Sequence, residues 1–100
     1  MTKARTLADG AWNARYVDNG DTPVTAADWD KIYVDTSAGV VEIDLPAAGR
    51  VWIIDQTGDA QTYNITVDPA GVSTTTIDTI DLAYFSAVFE FDGTSNWGIS

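Results

Sequence analysis

Aspartate is the residue type in this sequence with the most obvious capacity for chemistry, because it provides thirteen of the fifteen acidic residues. Three pairs are close enough along the chain to share a cation: Asp18 with Asp21, Asp28 with Asp30, and Asp78 with Asp81. Ca²⁺ prefers several oxygen ligands of this kind. None of the pairs has the spacing of an EF-hand loop, and Asp in turns commonly bonds the local backbone instead. We therefore interpret the pairs as turn and cap residues and predict no metal site.

Paired carboxylates could also cleave a glycosidic bond, which requires two of them across a sugar ring. With fifteen acidic residues in a chain of 100, however, some close pairs arise by chance. Histidine and cysteine are both absent, which excludes Ser-His-Asp and Cys-His catalysis, disulfides, zinc–thiolate sites and iron–sulfur clusters. We predict that the protein is not an enzyme, has no catalytic residues and needs no cofactor.

The net charge of −10 limits the partners that the chain can bind. Such a charge opposes binding to nucleic acid or to an anionic membrane surface. No apolar run approaches the roughly 18 residues of a membrane span, and residues 1–12 lack the apolar stretch of a secretory signal. We therefore expect neither a nucleic acid nor a membrane partner.

The four tryptophans are the other residues with binding potential, because aromatic rings stack on the faces of sugars and other ligands. Trp52 and Trp97 lie within strand patterns, which favours the core. Trp12 and Trp29 lie outside clear strand patterns, and tryptophan is enriched at the hot spots of protein interfaces. We predict that Trp12 and Trp29 are interface anchors.

The first sixteen residues differ from the rest, because they hold Lys3, Arg5 and Arg15 against Asp9 as their only acid. They show no clear hydrophobic period, so we predict an N-terminal arm over residues 1–16 and a single β domain over residues 17–100. A basic arm can dock on an acidic surface, where arginine binds carboxylates; a frayed terminus is the alternative. The predicted contact residues are Lys3, Arg5, Leu7, Trp12, Arg15 and Trp29.

Short apolar segments between turns must position these side chains. Isoleucine and valine total seventeen against three leucines, and threonine occurs thirteen times, which favours strands over helices. Val41 and Ile43 alternate with Glu42 and Asp44, a pattern typical of antiparallel sheets with one face in water. The continuous apolar run of residues 51–54 indicates a strand covered on both faces, by a second sheet or by another subunit.

The spacing of these segments predicts an all-β fold, an antiparallel β-sandwich or jelly-roll-like barrel of about seven strands. One departure from pure β-structure is expected. Thr25-Ala26-Ala27-Asp28 resembles a capping box with Asp in place of Glu, and it predicts a short helical turn near residues 25–30.

Three motifs within residues 31–100 occur in an order found in one class of phage protein. They are Leu45-Pro46-Ala47 at a strand end, Asn64-Ile65-Thr66-Val67, and the closing Asp92-Gly93-Thr94-Ser95-Asn96-Trp97. In this order the chain resembles the β-modules of tailed-phage virions, which occur in head decoration proteins, head fibres and tail fibres. The resemblance implies an all-β fold that assembles as a homotrimer.

Among these subtypes we expect a stand-alone capsid decoration, or cement, protein, because the chain has no shaft, internal repeat or coiled-coil heptad. The resemblance then implies that the homotrimer binds the outer surface of the virion head. There it would contact the major capsid protein and stabilise the contacts between capsid subunits. The alternative is a head-fibre or tail-fibre adhesin module that binds host-surface glycans.

Overall fold

Nine β-strands and one short 3₁₀ turn (Asn19–Asp21) make up the part of the chain that this computed structural model describes, residues 12–47, 49–68, 78–91 and 97–99. The strands are β1 (Asn13–Asp18), β2 (Val24–Thr25), β3 (Asp30–Asp35), β4 (Val41–Asp44), β5 (Gly49–Asp55), β6 (Ile65–Asp68), β7 (Asp78–Ile80), β8 (Ser86–Phe91) and β9 (Trp97–Ile99). The prediction of an all-β protein is confirmed, with nine strands in these ranges rather than about seven.

The strands form two sheets, a five-stranded sheet in the order β1-β3-β5-β8-β9 and a four-stranded sheet in the order β2-β4-β6-β7. From β1 to β6, successive strands alternate between the two sheets. The chain therefore coils through three stacked rungs, each with one strand from either sheet: β1–β2, β3–β4 and β5–β6. Neighbours from different rungs pair in parallel: β1 with β3, β3 with β5, β2 with β4, and β4 with β6. The later pairs β5–β8, β8–β9 and β6–β7 are antiparallel.

The prediction of antiparallel sheets is therefore wrong for the pairs formed among the first six strands, and both sheets are mixed. Alternation of apolar and polar residues is a property of any strand with one covered face, so it does not distinguish a parallel from an antiparallel neighbour. Parallel strands usually require a long crossover over the same sheet. Here each connection between β1 and β6 leads to a strand of the opposite sheet. Short connections are therefore enough to bring parallel strands side by side.

One hydrophobic core lies between the two sheets and takes side chains from both. Phe89 of β8 is its largest fully buried residue. The β-branched members that surround it are Val17, Val24, Ile32, Val34, Val41, Ile43, Val51, Ile53, Ile65, Val67 and Ile80. Trp52, by contrast, is half-buried on the outer face of the five-stranded sheet. The prediction that placed it in the core is wrong, and the prediction for Trp97 concerns a side chain outside the described part.

A helical turn near residues 25–30 is absent from the structure, so this prediction is wrong. The backbone N–H of Ala26 donates to the carbonyl of Asp44 at 2.9 Å, which prolongs the pairing of β2 with β4. Trp29 then adopts a positive φ of 71°, which a right-handed helix does not allow. A capping box does form, but between Asp18 and the 3₁₀ turn that follows it.

The start of the folded domain lies earlier than the sequence indicated. Residues 13–18 pair along their whole length with Asp30–Asp35 of β3, so residues 13–16 are strand and not part of an arm. The remainder of the predicted arm, with Lys3, Arg5 and Leu7, lies outside the described residues.

Candidate interaction surface

Five aromatic side chains gather on the outer side of the five-stranded sheet, and we call them the aromatic face: Trp12, Tyr16, Trp29, Tyr33 and Trp52. The parallel register places Tyr16 beside Tyr33. The next row brings Trp52 beside Lys31, because alternate residues of aligned strands share one face. Two of the five, Trp12 and Trp29, are residues for which the sequence predicts a role as interface anchors, and that role stays a prediction.

The three tryptophans form one edge-to-face cluster. The rings of Trp12 and Trp29 have centroids 5.0 Å apart at 70°, and those of Trp12 and Trp52 are 5.4 Å apart at 68°. Edge-to-face pairs of this kind add roughly 0.5–1.5 kcal/mol beyond the area that they bury. Trp12 therefore links the turn at Trp29 to the sheet surface at Trp52.

Two basic side chains lie against these rings. The Nζ atom of Lys31 is 4.2 Å from the ring centre of Trp52 and 5.4 Å from that of Tyr33. The guanidinium of Arg50 is 4.9 Å from the ring centre of Trp29 and also forms an ion pair with Glu90. Cation–π contacts hold both positive charges at the surface of the aromatic face.

Tyr16 is the most exposed member of the aromatic face. Its ring stacks on Tyr33 with centroids 4.8 Å apart and planes within 11° of parallel, yet 67% of the residue remains exposed. Stacking on a neighbour restricts the side chain of Tyr16 while leaving a large ring surface exposed. Binding through this ring would therefore cost little further conformational entropy. Such residues are favoured at binding surfaces.

Strand β5 holds the turn that presents Trp29. The N–H of Trp29 donates to the carbonyl of Arg50 at 2.7 Å, and the N–H of Arg50 donates to Oδ1 of Asp28 at 2.9 Å. Gly49 has a φ of +123°, and a Cβ there would lie 2.4 Å from the same Oδ1. The N–H of Asn13 donates to the carbonyl of Trp29 at 2.8 Å, which ties the start of β1 to this turn.

Arg15, another predicted contact residue, points away from the aromatic face. It lies in the row of Ile32, on the inner side of the sheet. Its Nη1 donates to Oδ2 of Asp30 at 2.8 Å and to the carbonyl of Thr25 in the opposite sheet at 3.0 Å. The side chain is 39% exposed, and these contacts join the two sheets.

The interpretation of paired aspartates as turn and cap residues is confirmed for Asp18 and Asp21, whereas in the second pair only Asp30 bonds the local backbone. Asp18 and Asp21 cap the 3₁₀ turn, Asp28 binds a backbone N–H of β5, and Asp30 accepts from the N–H of Ala27 at 2.9 Å. In the third pair, the side chain of Asp78 lies outside the described part.

A different acidic group lies on the outer face of the four-stranded sheet, and we call it the acidic cluster: Glu42, Asp44 and Asp68. One carboxylate oxygen from each lies within 4.8 Å of the others. Asp44, followed by burial and Asp68, raises the pKa of Glu42 to about 7, because neighbouring negative charges and desolvation disfavour the ionised form. The sequence placed Glu42 and Asp44 on one face, but Asp68 joins them through the parallel pairing of β4 with β6.

Charge is divided between the two sheets. The basic residues of the described ranges, Arg15, Lys31 and Arg50, belong to β1, β3 and β5 of the five-stranded sheet. Strands β2, β4, β6 and β7 of the four-stranded sheet contain no lysine or arginine. One side of the molecule is therefore aromatic with embedded cations, and the other is acidic.

No protein-family model matches the chain, and no curated protein matches it significantly. Within the described ranges, none of the helical segments has the length and apolar character needed to cross a membrane.

Proposed function

We propose that this protein is a phage capsid decoration protein that binds the outer surface of the head as a homotrimer and stabilises contacts between major capsid subunits. The order of motifs in residues 31–100 supports this assignment through its resemblance to virion β-modules. The two open, mixed sheets around one core fit a sandwich-like member of that group better than a closed barrel.

The aromatic face is the observation that carries the proposal. It brings Trp12 and Trp29 together at 5.0 Å and adds the exposed, stacked Tyr16. Interface hot spots are enriched in Trp, Tyr and Arg, and Arg50 lies on the ring of Trp29. We place the capsid on this side of the molecule and solvent on the acidic side.

The mechanism of such a protein is mechanical. A trimer presents three aromatic faces, so it can bind several capsid subunits at once. Once one face is bound, the others attach at a high effective concentration, and the overall affinity exceeds that of a single contact by about 10²–10⁴. Subunits bridged in this way require more free energy to separate, which would resist the pressure of packaged DNA.

The test is binding of the purified chain to empty, expanded capsids built from the major capsid protein of the same genome, with the solution mass measured in parallel. We expect saturable binding by a species of three times 10.7 kDa. Trp29→Ala and Tyr16→Ala should each weaken binding about 10- to 30-fold, as at other interface hot spots. Tyr63→Ala is the matched control, because Tyr63 is 42% exposed and lies outside the aromatic face.

A monomer that ignores capsids would contradict the proposal, and so would Tyr16→Ala and Trp29→Ala variants that bind with the affinity of the unmodified chain. The variants are compared only if each keeps the unfolding midpoint of the unmodified chain within a few degrees. This condition separates a lost contact from a lost fold.

A groove beside Tyr16 favours the second candidate, an adhesin module that binds host glycans. The groove has a volume of about 450 Å³ and runs between β1 and β2, where Arg15, Tyr16, Asp21 and Thr25 line it. Polar and charged residues in the lining can hydrogen-bond a sugar, and Tyr16 offers an exposed ring on the adjoining aromatic face. A stable trimer that ignores capsids but binds host cells, with binding lost in Tyr16→Ala, would favour this function over decoration.

A further inference from the structure

The acidic cluster lies where two parallel strands meet on the outer face of the four-stranded sheet. Glu42 and Asp44 are two residues apart on β4, so their side chains leave the strand on the same side. Asp68 of β6 is the direct partner of Asp44 in the register. Three carboxylate oxygens thereby come within 4.8 Å of one another.

Asp68 is a buried carboxylate with an oxygen, Oδ1, that has no hydrogen-bond partner among the described residues. The residue is only 2% exposed. The Oδ1 of Asp44 is likewise buried and without a partner there. Burying an ionised carboxylate is costly unless it is hydrogen-bonded, paired with a cation or bound to a metal.

The strands around the cluster offer no protein cation, because β2, β4, β6 and β7 contain neither lysine nor arginine. The three carboxyl groups instead lie within 4.8 Å of one another, so their negative charges repel. A positive ion between the three groups would relieve this repulsion. It would also give the buried Asp68 oxygen a partner.

We propose that Glu42, Asp44 and Asp68 bind one Ca²⁺ ion on the outer face of the four-stranded sheet. Ca²⁺ takes oxygen ligands at about 2.3–2.6 Å, so two oxygens on opposite sides of the ion are about 5 Å apart. The three oxygens all lie within 4.8 Å of one another and are therefore close enough to share one ion. Three carboxylates supply up to six oxygens, and water completes the six to eight ligands that Ca²⁺ requires.

This site is independent of the proposed capsid role, because it lies on the sheet opposite the aromatic face. Its expected effect is to join β4 to β6. The doubly charged ion would offset two of the three negative charges and cross-link the neighbouring strands through their side chains. Because a ligand that binds only the folded state stabilises it, the protein should unfold at a higher temperature in Ca²⁺.

The test uses the full chain, freed of metal with EDTA and dialysed, at pH 7.5. Calorimetric titration with CaCl₂ should show one ion per chain. The unfolding midpoint should rise by on the order of 10 °C when free Ca²⁺ is about 100 times the dissociation constant. NaCl at the same ionic strength should raise the unfolding midpoint much less than CaCl₂ does. This comparison separates binding of Ca²⁺ from screening of the negative charges.

Two conservative variants locate the site. Asp68→Asn and Asp44→Asn each remove one ligand charge and keep the shape of the side chain, so each should weaken Ca²⁺ binding at least tenfold. In EDTA both should unfold no lower than the unmodified chain, because each removes a repelling charge. Asp81→Asn is the matched control, since Asp81 is exposed and belongs to a different part of the surface.

Three results would overturn the proposal. The first is the absence of saturable binding and of any thermal shift at about 10 mM CaCl₂, above the weakest range of natural Ca²⁺ modules. The second is a shift that NaCl reproduces in full. The third is Ca²⁺ binding by Asp68→Asn and Asp44→Asn with the affinity of the unmodified chain.

Discussion

The guanidinium of Arg15 donates to the carboxylate of Asp30 at 2.8 Å, and this pair joins the first strand to the strand beside it. The same Nη1 also reaches the carbonyl of Thr25 in the opposite sheet at 3.0 Å. Asp30 is almost completely buried, whereas Arg15 remains partly exposed. Arg15 was predicted to contact a partner because it lies in the basic first sixteen residues. In the structure it links the two sheets of its own domain.

We expect Arg15→Ala to destabilise the protein by about 1–3 kcal/mol, because it leaves a buried carboxylate with one backbone N–H as its remaining partner. Arg15→Lys should cost less, since lysine keeps the charge but makes fewer directed contacts. Urea unfolding at pH 7 measures both. An Arg15→Ala variant with unchanged stability but weaker capsid binding would show that Arg15 acts at the partner surface instead.

Gly49→Ala should destabilise the turn beneath Trp29. A Cβ at this position would lie 2.4 Å from Oδ1 of Asp28, and φ is +123°, a region that side chains rarely adopt. Backbone strain of this type costs on the order of 1–3 kcal/mol. Gly20→Ala is the comparison, because its nearest neighbour would be 3.2 Å away.

The expected signature of Gly49→Ala is a lower unfolding midpoint together with a changed tryptophan fluorescence spectrum, since Trp29 contacts Trp12 at the same turn. Gly20→Ala should leave the fluorescence spectrum unchanged. Equal midpoints for the two glycine variants would contradict the role assigned to Gly49.

The sequence predicted the local pattern of the strands but not their partners. Val41 and Ile43 are buried and Glu42 faces outward, as alternation requires. Alternation has no information on strand direction, so the parallel register that places Asp68 beside Asp44 could not be predicted. The two residues are 24 positions apart, and their meeting depends on the coil of the whole chain.

Trp52 shows a second limit of the sequence pattern. It lies in a continuous apolar run, which indicated burial on both faces. In the structure Val51 and Ile53 enter the core, whereas Trp52 is covered in part by Trp12 and by Lys31. Partial cover by a tryptophan from outside the sheet and by the ammonium group of a lysine is not encoded in the run itself.

Asp55→Ala should be among the most damaging single substitutions in the described ranges. Asp55 is 1% exposed, and its Oδ2 accepts from the N–H of Ala60 at 3.2 Å and of Tyr84 at 2.9 Å. Each N–H that loses its acceptor inside the protein costs about 1–3 kcal/mol. We expect a loss of about 2–5 kcal/mol in urea unfolding, made up of these two groups.

Hydrogen exchange distinguishes this cause from a general loss of packing. Asp55→Asn keeps one oxygen acceptor but loses the charge that strengthens both hydrogen bonds, so exchange should accelerate more at the amides of Ala60 and Tyr84 than at the amides of β4. Asp81→Ala serves as the exposed control and should change stability by less than about 0.5 kcal/mol. Uniform acceleration of all amides in Asp55→Asn would argue against a local role for the carboxylate.

Asp35 should make the stability of the protein depend on pH in the acid range. Hydrogen bonds from the side chain and then the backbone of Ser37 hold the pKa of Asp35 below its ordinary value of 3.8. Because the folded pKa is the lower one, this contribution to stability is present above pH 3.8 and is lost as the pH falls through the folded pKa. Urea unfolding between about pH 2 and pH 5 should therefore show a shallower loss of stability in Asp35→Asn than in the unmodified chain. Ser37→Ala, which removes the largest cause, should lie between the two, and identical pH profiles for all three chains would contradict the assignment.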